Sequence, residues 1–134
     1  MKQWMGIALA ALFSMAGMAR AQPVPDPASP FVIGEGFPTT PATCDSLPGW
    51  LERVPDYDGR ISMAIRGELT ASGTDGALAY LTMCPQNGVQ VVCITYEERE
   101  VIPGRQVTLA GGFAGVDEGT VILDPCLAYD PPED

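Results

Sequence analysis

Four cysteines, Cys44, Cys84, Cys93 and Cys126, follow an amino-terminal segment built like an export signal, and that combination constrains the fold more than any other feature of the chain. Lys2 supplies a positive start, Met5 to Phe13 an apolar run, and Ala19-Arg20-Ala21 small residues at both cleavage positions. The spacing predicts a signal peptide over 1–21. Its apolar stretch, interrupted by Ser14 and Gly17, falls short of the roughly 20 residues that cross a bilayer comfortably, which sets cleavage against the competing reading of an uncleaved anchor. No cysteine stands at the expected cut, so no lipid attachment is expected there. A periplasmic or secreted chain meets an oxidising space in which thiols pair, and two disulfides are expected. Each would contribute about 3 to 4 kcal/mol by restricting the unfolded chain across a loop of tens of residues. Metal ligation competes poorly, because the spacing contains no CxxC and the chain has no histidine.

Charge narrows the partners. Seven cations against 17 acids give a net charge of −10, and removal of 1–21 takes away Lys2 and Arg20, carrying it to −12 with no lysine left. Such a field repels phosphate backbones and anionic headgroups, so neither nucleic acid nor, after signal cleavage, a membrane is an expected partner. Solubility is the plain explanation of the acidity; attraction of cationic partners or divalent ions is the sharper one.

Residues 22–58 form a Pro-rich segment in which Pro23, Pro25, Pro27, Pro30, Pro38 and Pro41 favour extended chain. It reads as a tether or a flat wrap, and the apolar Phe31-Val32-Ile33 and Phe37 suit the wrap. Between Asp45 and Val54 one or two helical turns are expected, with Trp50 and Leu51 packing inward. From residue 59 to 129 the pattern is that of strands. Ile61, Met63, Ile65, Leu69 and Ala71 alternate with Ser62, Arg66, Glu68 and Thr70, and Gly67 marks a bulge or bend that would let one strand serve two sides of a small barrel. A turn over Ser72 to Gly76, a second strand over Ala77 to Cys84, and a two-residue hairpin at Asn87-Gly88 follow. The third strand, Val89 to Tyr96, is apolar on nearly every residue, as in a strand covered on both faces. Glu97 to Glu100 reads as a solvated turn, Gln106 to Phe113 as a fourth strand, Gly115 to Gly119 as a loop, and Thr120 to Leu127 as a fifth, with Pro125 at a strand end or an edge. An acidic tail, 130–134, is expected to fray, starting from Tyr129.

Five strands with a bent first strand and a longer link between the third and fourth fit an all-β, five-stranded Greek-key barrel. Val91 to Tyr96, then Ile102-Pro103-Gly104-Arg105-Gln106-Val107-Thr108-Leu109-Ala110-Gly111, then Thr120 to Cys126, resemble the OB-fold domains of the bacterial tRNA-anticodon-like (tRNA_anti-like) family. The family's cysteine late in the third strand, its Gly-x-x-Val-x-Val-x-Gly fourth strand and its final cysteine match Cys93, then Gly104, Val107, Leu109 and Gly111, then Cys126. The resemblance spans roughly Arg60 to Leu127 and implies an OB-like barrel. The nucleic-acid binding in the family's name is not implied here, since the basic groove that tracks phosphates is missing. In such a barrel the third and fifth strands are parallel neighbours, which would bring Cys93 to Cys126 and leave Cys44 for Cys84, pinning the Pro-rich segment to the end of the second strand. Pairing of Cys84 with Cys93 across the hairpin is the rival.

The chemistry is bounded by what is missing. Without histidine the commonest general base and metal ligand are both gone, and no catalytic residue, cofactor or metal site is expected. A carboxylate pair can serve a hydrolase, but nothing in the spacing of Glu68, Asp75, Asp117, Glu118 and Asp124 selects one. Asp56-Tyr57-Asp58-Gly59 resembles the middle of a calcium loop, yet Val54 and Ile65 stand where its first and last acids belong, so it reads as a turn. OB barrels bind on the face of their second and third strands with aromatic platforms, which makes Tyr80 and Tyr96 the candidate binding residues; the alternative is that each covers a barrel end with its hydroxyl wet. The expected function is a non-enzymatic, exported binding module for a protein partner or extracellular ligand. An envelope sugar or divalent-cation binder is the alternative, and a carboxylate-dependent hydrolase a third possibility.

Overall fold

The computed structural model describes residues 26–85 and 88–131. The expected signal segment, Asn87 and the last three tail residues lie outside that range.

Five strands close into a barrel: β3 (Ile61–Thr74), β4 (Ala79–Met83), β5 (Gln90–Thr95), β6 (Gln106–Asp117) and β7 (Thr120–Tyr129). Their cyclic order is β3-β4-β5-β7-β6-β3, with β5 and β7 parallel and every other barrel pair antiparallel. That is the strand order of an OB-like Greek-key barrel, as expected. Residues on alternate positions fill it, with Met63, Ile65, Leu81, Met83, Val91, Leu109, Val121 and Leu123 sealed from solvent.

Closure depends on β3, which pairs with β6 through Glu68 and with β4 from Leu69 onward. Gly67 sits at that switch, but the bulge itself falls between Leu69 and Ala71. What Gly67 supplies is room: a Cβ there would lie 2.9 Å from Cys44 Sγ and 3.2 Å from Met83 Sδ.

The Pro-rich segment, from Asp26 on, is a wrap and not a tether. β1 (Phe31–Ile33) pairs antiparallel with Ile61–Met63, and β2 (Ala42–Thr43) pairs parallel with Ile65–Arg66. Ser62, expected to face water, is buried because its Oγ donates to the Gly34 carbonyl at 2.8 Å. The short helix α1 (Leu47–Leu51) is entered through a reciprocal clasp: the Thr43 N–H donates to Ser46 Oγ at 2.9 Å and the Ser46 N–H to Thr43 Oγ1 at 3.1 Å. Leu47 is the helix residue sealed in the core, and Trp50 and Leu51 pack inward against that core as expected while staying half-buried, with the Arg53 guanidinium 4.0 Å from the Trp50 ring.

Both disulfides form as the barrel geometry implied. Cys44–Cys84 and Cys93–Cys126 have Cα separations of 5.5 and 5.4 Å, and no cysteine is free. The first fastens the wrap to the end of β4. The pair fits an oxidising compartment, and among the described residues no helix is long and apolar enough to cross a membrane.

The connections differ from expectation in three places. A two-residue turn at Asn87-Gly88 would set Met83 opposite Val92, whereas Met83 faces Val91. The connection is wider because Cys84, facing Cys44, takes a positive φ of 76° and Pro85 offers no amide to extend the ladder. Gly115 to Asp117 belong to β6, so the β6–β7 turn is reduced to Glu118-Gly119, both at positive φ. Tyr129 is the last residue of β7 and not the start of a frayed tail.

Candidate functional site

A single extra residue in β7 shapes one of two grooves on the surface. The β6–β7 register changes between the pairs Gly111↔Cys126 and Phe113↔Leu123, so Asp124 and Pro125 together oppose Gly112. Two glycines allow this. A Cβ on Gly111 would collide with the Pro125 carbonyl and lie 2.7 Å from Cys126 Cα, and one on Gly112 would lie 2.8 Å from the Asp124 carbonyl oxygen. Plain alternation from Val121 and Leu123 would turn Leu127 inward. The bulge inverts the phase, so Cys126 points into the barrel to meet Cys93 and Leu127 points out, 49% exposed.

At the same place β7 parts from β5. Their ladder runs from Gln90↔Thr120 to Cys93↔Leu123 and stops there. Pro125, with no N–H to give, suits the departure, and it occupies a stretch of β7 that has lost one neighbour, which is the edge position its chemistry requires. Beyond the split β7 is bonded to β6 through Tyr129, while the chain after Thr95 turns away. Between them lies a groove of about 420 Å³ lined by Thr95, Tyr96, Glu97, Glu98, Arg99, Leu127 and Ala128.

The walls of the groove are held in place. Arg99 donates to Asp130 Oδ1 at 2.7 Å, Arg105 donates to the same oxygen at 3.2 Å, and the Arg99 N–H donates to Ser72 Oγ at 3.2 Å. Asp130 thus ties the end of β7 to the loop across from it. Phe37, brought over by the wrap, meets Tyr129 edge to face with ring centroids 5.7 Å apart. The result is an exposed apolar strip of Phe37, Tyr129, Leu127 and Tyr96, the last 76% exposed. Among the described residues Glu97 and Glu98 make no ion pair, whereas the nearby arginines are engaged by Asp130.

The two tyrosines expected to bind are placed differently. Tyr96 stands at the mouth of the groove. Tyr80 lies on the outer face of β4 opposite Ile94, half-buried, and its hydroxyl donates to Asp75 Oδ2 at 2.9 Å. Asp75 also accepts the Ala77 and Leu78 amides on Oδ1, at 2.9 and 2.8 Å, which closes the β3–β4 turn. These amide bonds, then the tyrosine hydroxyl, hold the Asp75 carboxyl below the usual carboxylate range, and the bond to Asp75 pushes the Tyr80 phenol up. Tyr80 lines no part of the groove that holds Tyr96. The outer face of β5, expected to be covered, is half-open: Val92 and Ile94 are partly exposed beside Thr82 and Tyr80.

A second groove, about 350 Å³, runs beside Cys44–Cys84, with Asp45, Arg66, Glu68 and Gln106 among the residues on its walls. Among the described residues no group of three or more acids or cysteines stands close enough to hold a metal ion. Leu127 and Tyr129 escaped the sequence reading because their outward direction is set by the bulge; the signal for it was Gly111-Gly112 facing Asp124-Pro125. No family model matches the chain, and no curated protein is significantly similar to it.

Proposed function

We propose that this chain is an exported, non-enzymatic binding module, periplasmic or secreted, that holds a protein partner against the strip formed by Phe37, Tyr129, Leu127 and Tyr96. The observation that carries the reading is that four exposed large apolar side chains fall together beside an open groove, whereas Ile33, Tyr57, Val101, Ile102 and Val116, exposed as well, line neither groove. Aromatic residues with one wet end are the side chains that recur at protein interfaces. A chain with no histidine, and with Lys2 as its single lysine, lacks the commonest general base, and this also supports binding over catalysis.

Kinship with the tRNA-anticodon-like OB domains is part of the same proposal, supported by the strand order and by Gly104, Val107, Leu109 and Gly111. Gly104 takes the positive φ of the turn before β6, Val107 and Leu109 fill the core, and Gly111 admits Cys126. The acidic surface argues for a protein ligand in place of the nucleic acid.

The test is capture from the cell envelope with the wild-type chain and with Leu127→Asp. A partner held by the wild type and lost on the variant, with both disulfides intact in each, is the expected result. A retained set that is identical for the two proteins removes the strip from consideration.

A further inference from the structure

The groove is bordered by an unpaired strand edge. β5 leaves β7 at Cys93↔Leu123, and among the described residues no backbone hydrogen bond joins Cys126–Tyr129 to the 95–99 segment. β7 nevertheless stays extended through Tyr129 because β6 holds its other side. Amide and carbonyl groups on such an edge form a template for another strand. Native edges are commonly blunted by lysine or by proline. This one has no lysine, and its proline, Pro125, lies before the open part.

We infer that the Leu127–Tyr129 edge of β7, just past the point where the Cys93–Cys126 disulfide still holds β5 alongside at a Cα separation of 5.4 Å, takes up a short, extended, cationic segment of a partner protein by strand addition. This rests on the reading of the strip as the binding surface and specifies how the partner is held. A strand entering the groove meets apolar side chains on either hand, Leu127 and Tyr129 on β7 and Tyr96 opposite, so alternate residues of the incoming segment find apolar contacts. Its remaining side chains run past Glu97 and Glu98, carboxylates with no ion-pair partner among the described residues, while Arg99 and Arg105 are occupied by Asp130. The field therefore favours lysine or arginine at those positions. A second copy of the chain is disfavoured as occupant, because it would bring a net charge of −10 against another −10.

The test uses the whole chain with four capped peptides: alternating lysine and valine; alternating glutamate and valine; and the lysine–valine peptide N-methylated at every lysine or, in the other register, at every valine, each of which keeps charge and side chains but removes the donors of one strand edge. Binding is followed by amide chemical shifts and by titration. The lysine–valine peptide is expected to shift the amides of 95–99 and 126–129, and N-methylation of its pairing edge to weaken binding by at least about tenfold, the equivalent of about 1.4 kcal/mol. Leu127→Asp and the double variant Glu97→Gln/Glu98→Gln are expected to weaken it as well. Val116→Asp, equally exposed at 48% on the far hairpin, should leave it unchanged. Undiminished binding by both N-methylated registers, equal binding by the glutamate peptide, or shifts spread over the acidic surface would each overturn strand addition. A dimer that dissociates on Leu127→Asp would assign the edge to a second copy and overturn the cationic segment. Since the decisive comparison alters the peptide and not the protein, misfolding of a variant cannot obscure it. Leu127-dependent capture of a partner without peptide binding would overturn this mode of contact and leave the strip; loss of both would overturn both.

Discussion

Gly111 lies so close beneath Cys126 that a Cβ on the glycine would come within 2.7 Å of the Cys126 Cα. The contact is backbone against backbone, so neither side has a flexible end that can yield. It joins the bulge of β7, the Cys93–Cys126 disulfide and the outward turn of Leu127 into one local arrangement.

Gly111→Ala should therefore cost about 3 kcal/mol, at or beyond the upper end of ordinary overpacking. Gly73→Ala, on the same barrel, places its new methyl group where nothing lies within 4 Å, and its effect should stay within about 0.5 kcal/mol. Urea denaturation of the two variants measures the difference, and similar midpoints would show that the Gly111 contact relaxes freely.

The two disulfides should fail in different ways. Each closes a loop, with a sequence separation of 40 between Cys44 and Cys84 and of 33 between Cys93 and Cys126, and loss of either should cost about 2 to 5 kcal/mol. Hydrogen exchange distinguishes them. In Cys44→Ser/Cys84→Ser the amides of β1 and of Ile61 to Arg66 should exchange faster while β5 and β7 stay protected; in Cys93→Ser/Cys126→Ser the order should reverse.

Leu47→Ala should destabilise the fold by about 2 to 5 kcal/mol, the usual cost of truncating a sealed leucine. Trp50→Ala, although it removes a larger side chain, should cost less, because the ring is already half in water under Arg53. Thermal unfolding of both variants settles the order.

The Asp75–Tyr80 bond predicts a pH dependence at each end. The Asp75 carboxyl is lowered in the folded chain, so its contribution is present above the ordinary carboxylate range and is lost as pH falls through the lowered value. The Tyr80 phenol is raised, so its contribution is present below the ordinary phenol range and is lost as pH rises through the raised value. Tyr80→Phe should move the Asp75 titration upward without restoring it fully, because the Ala77 and Leu78 amides remain; carboxyl chemical shifts report it.

Much of the barrel was readable because its determinants are local or paired by topology. The period-2 runs around Ile61 and Val91, the Asp75 turn and the parallel placement of Cys93 and Cys126 all follow from patterns a linear reading can hold. Gly67 was legible as a special position but for an incomplete reason, since the sulfur of Cys44 arrives from elsewhere in the chain. The groove was not legible. Tyr129 looked like the start of a free tail because Phe37, which packs on its ring, and Arg99 and Arg105, which fasten the next residue, are distant in sequence. Tyr80 and Tyr96 shared a predicted sheet face, but hydrogen bonding drew one into a turn and the departure of β5 put the other beside β7.

The inverted phase of β7 divides one strand between two kinds of selection. Val121 and Leu123 answer to the interior, where shape and volume leave little choice, whereas Leu127 and Tyr129 can be exchanged with little effect on the core. A lineage built on this barrel is thus free to revise what it displays at one end without renegotiating how it folds at the other.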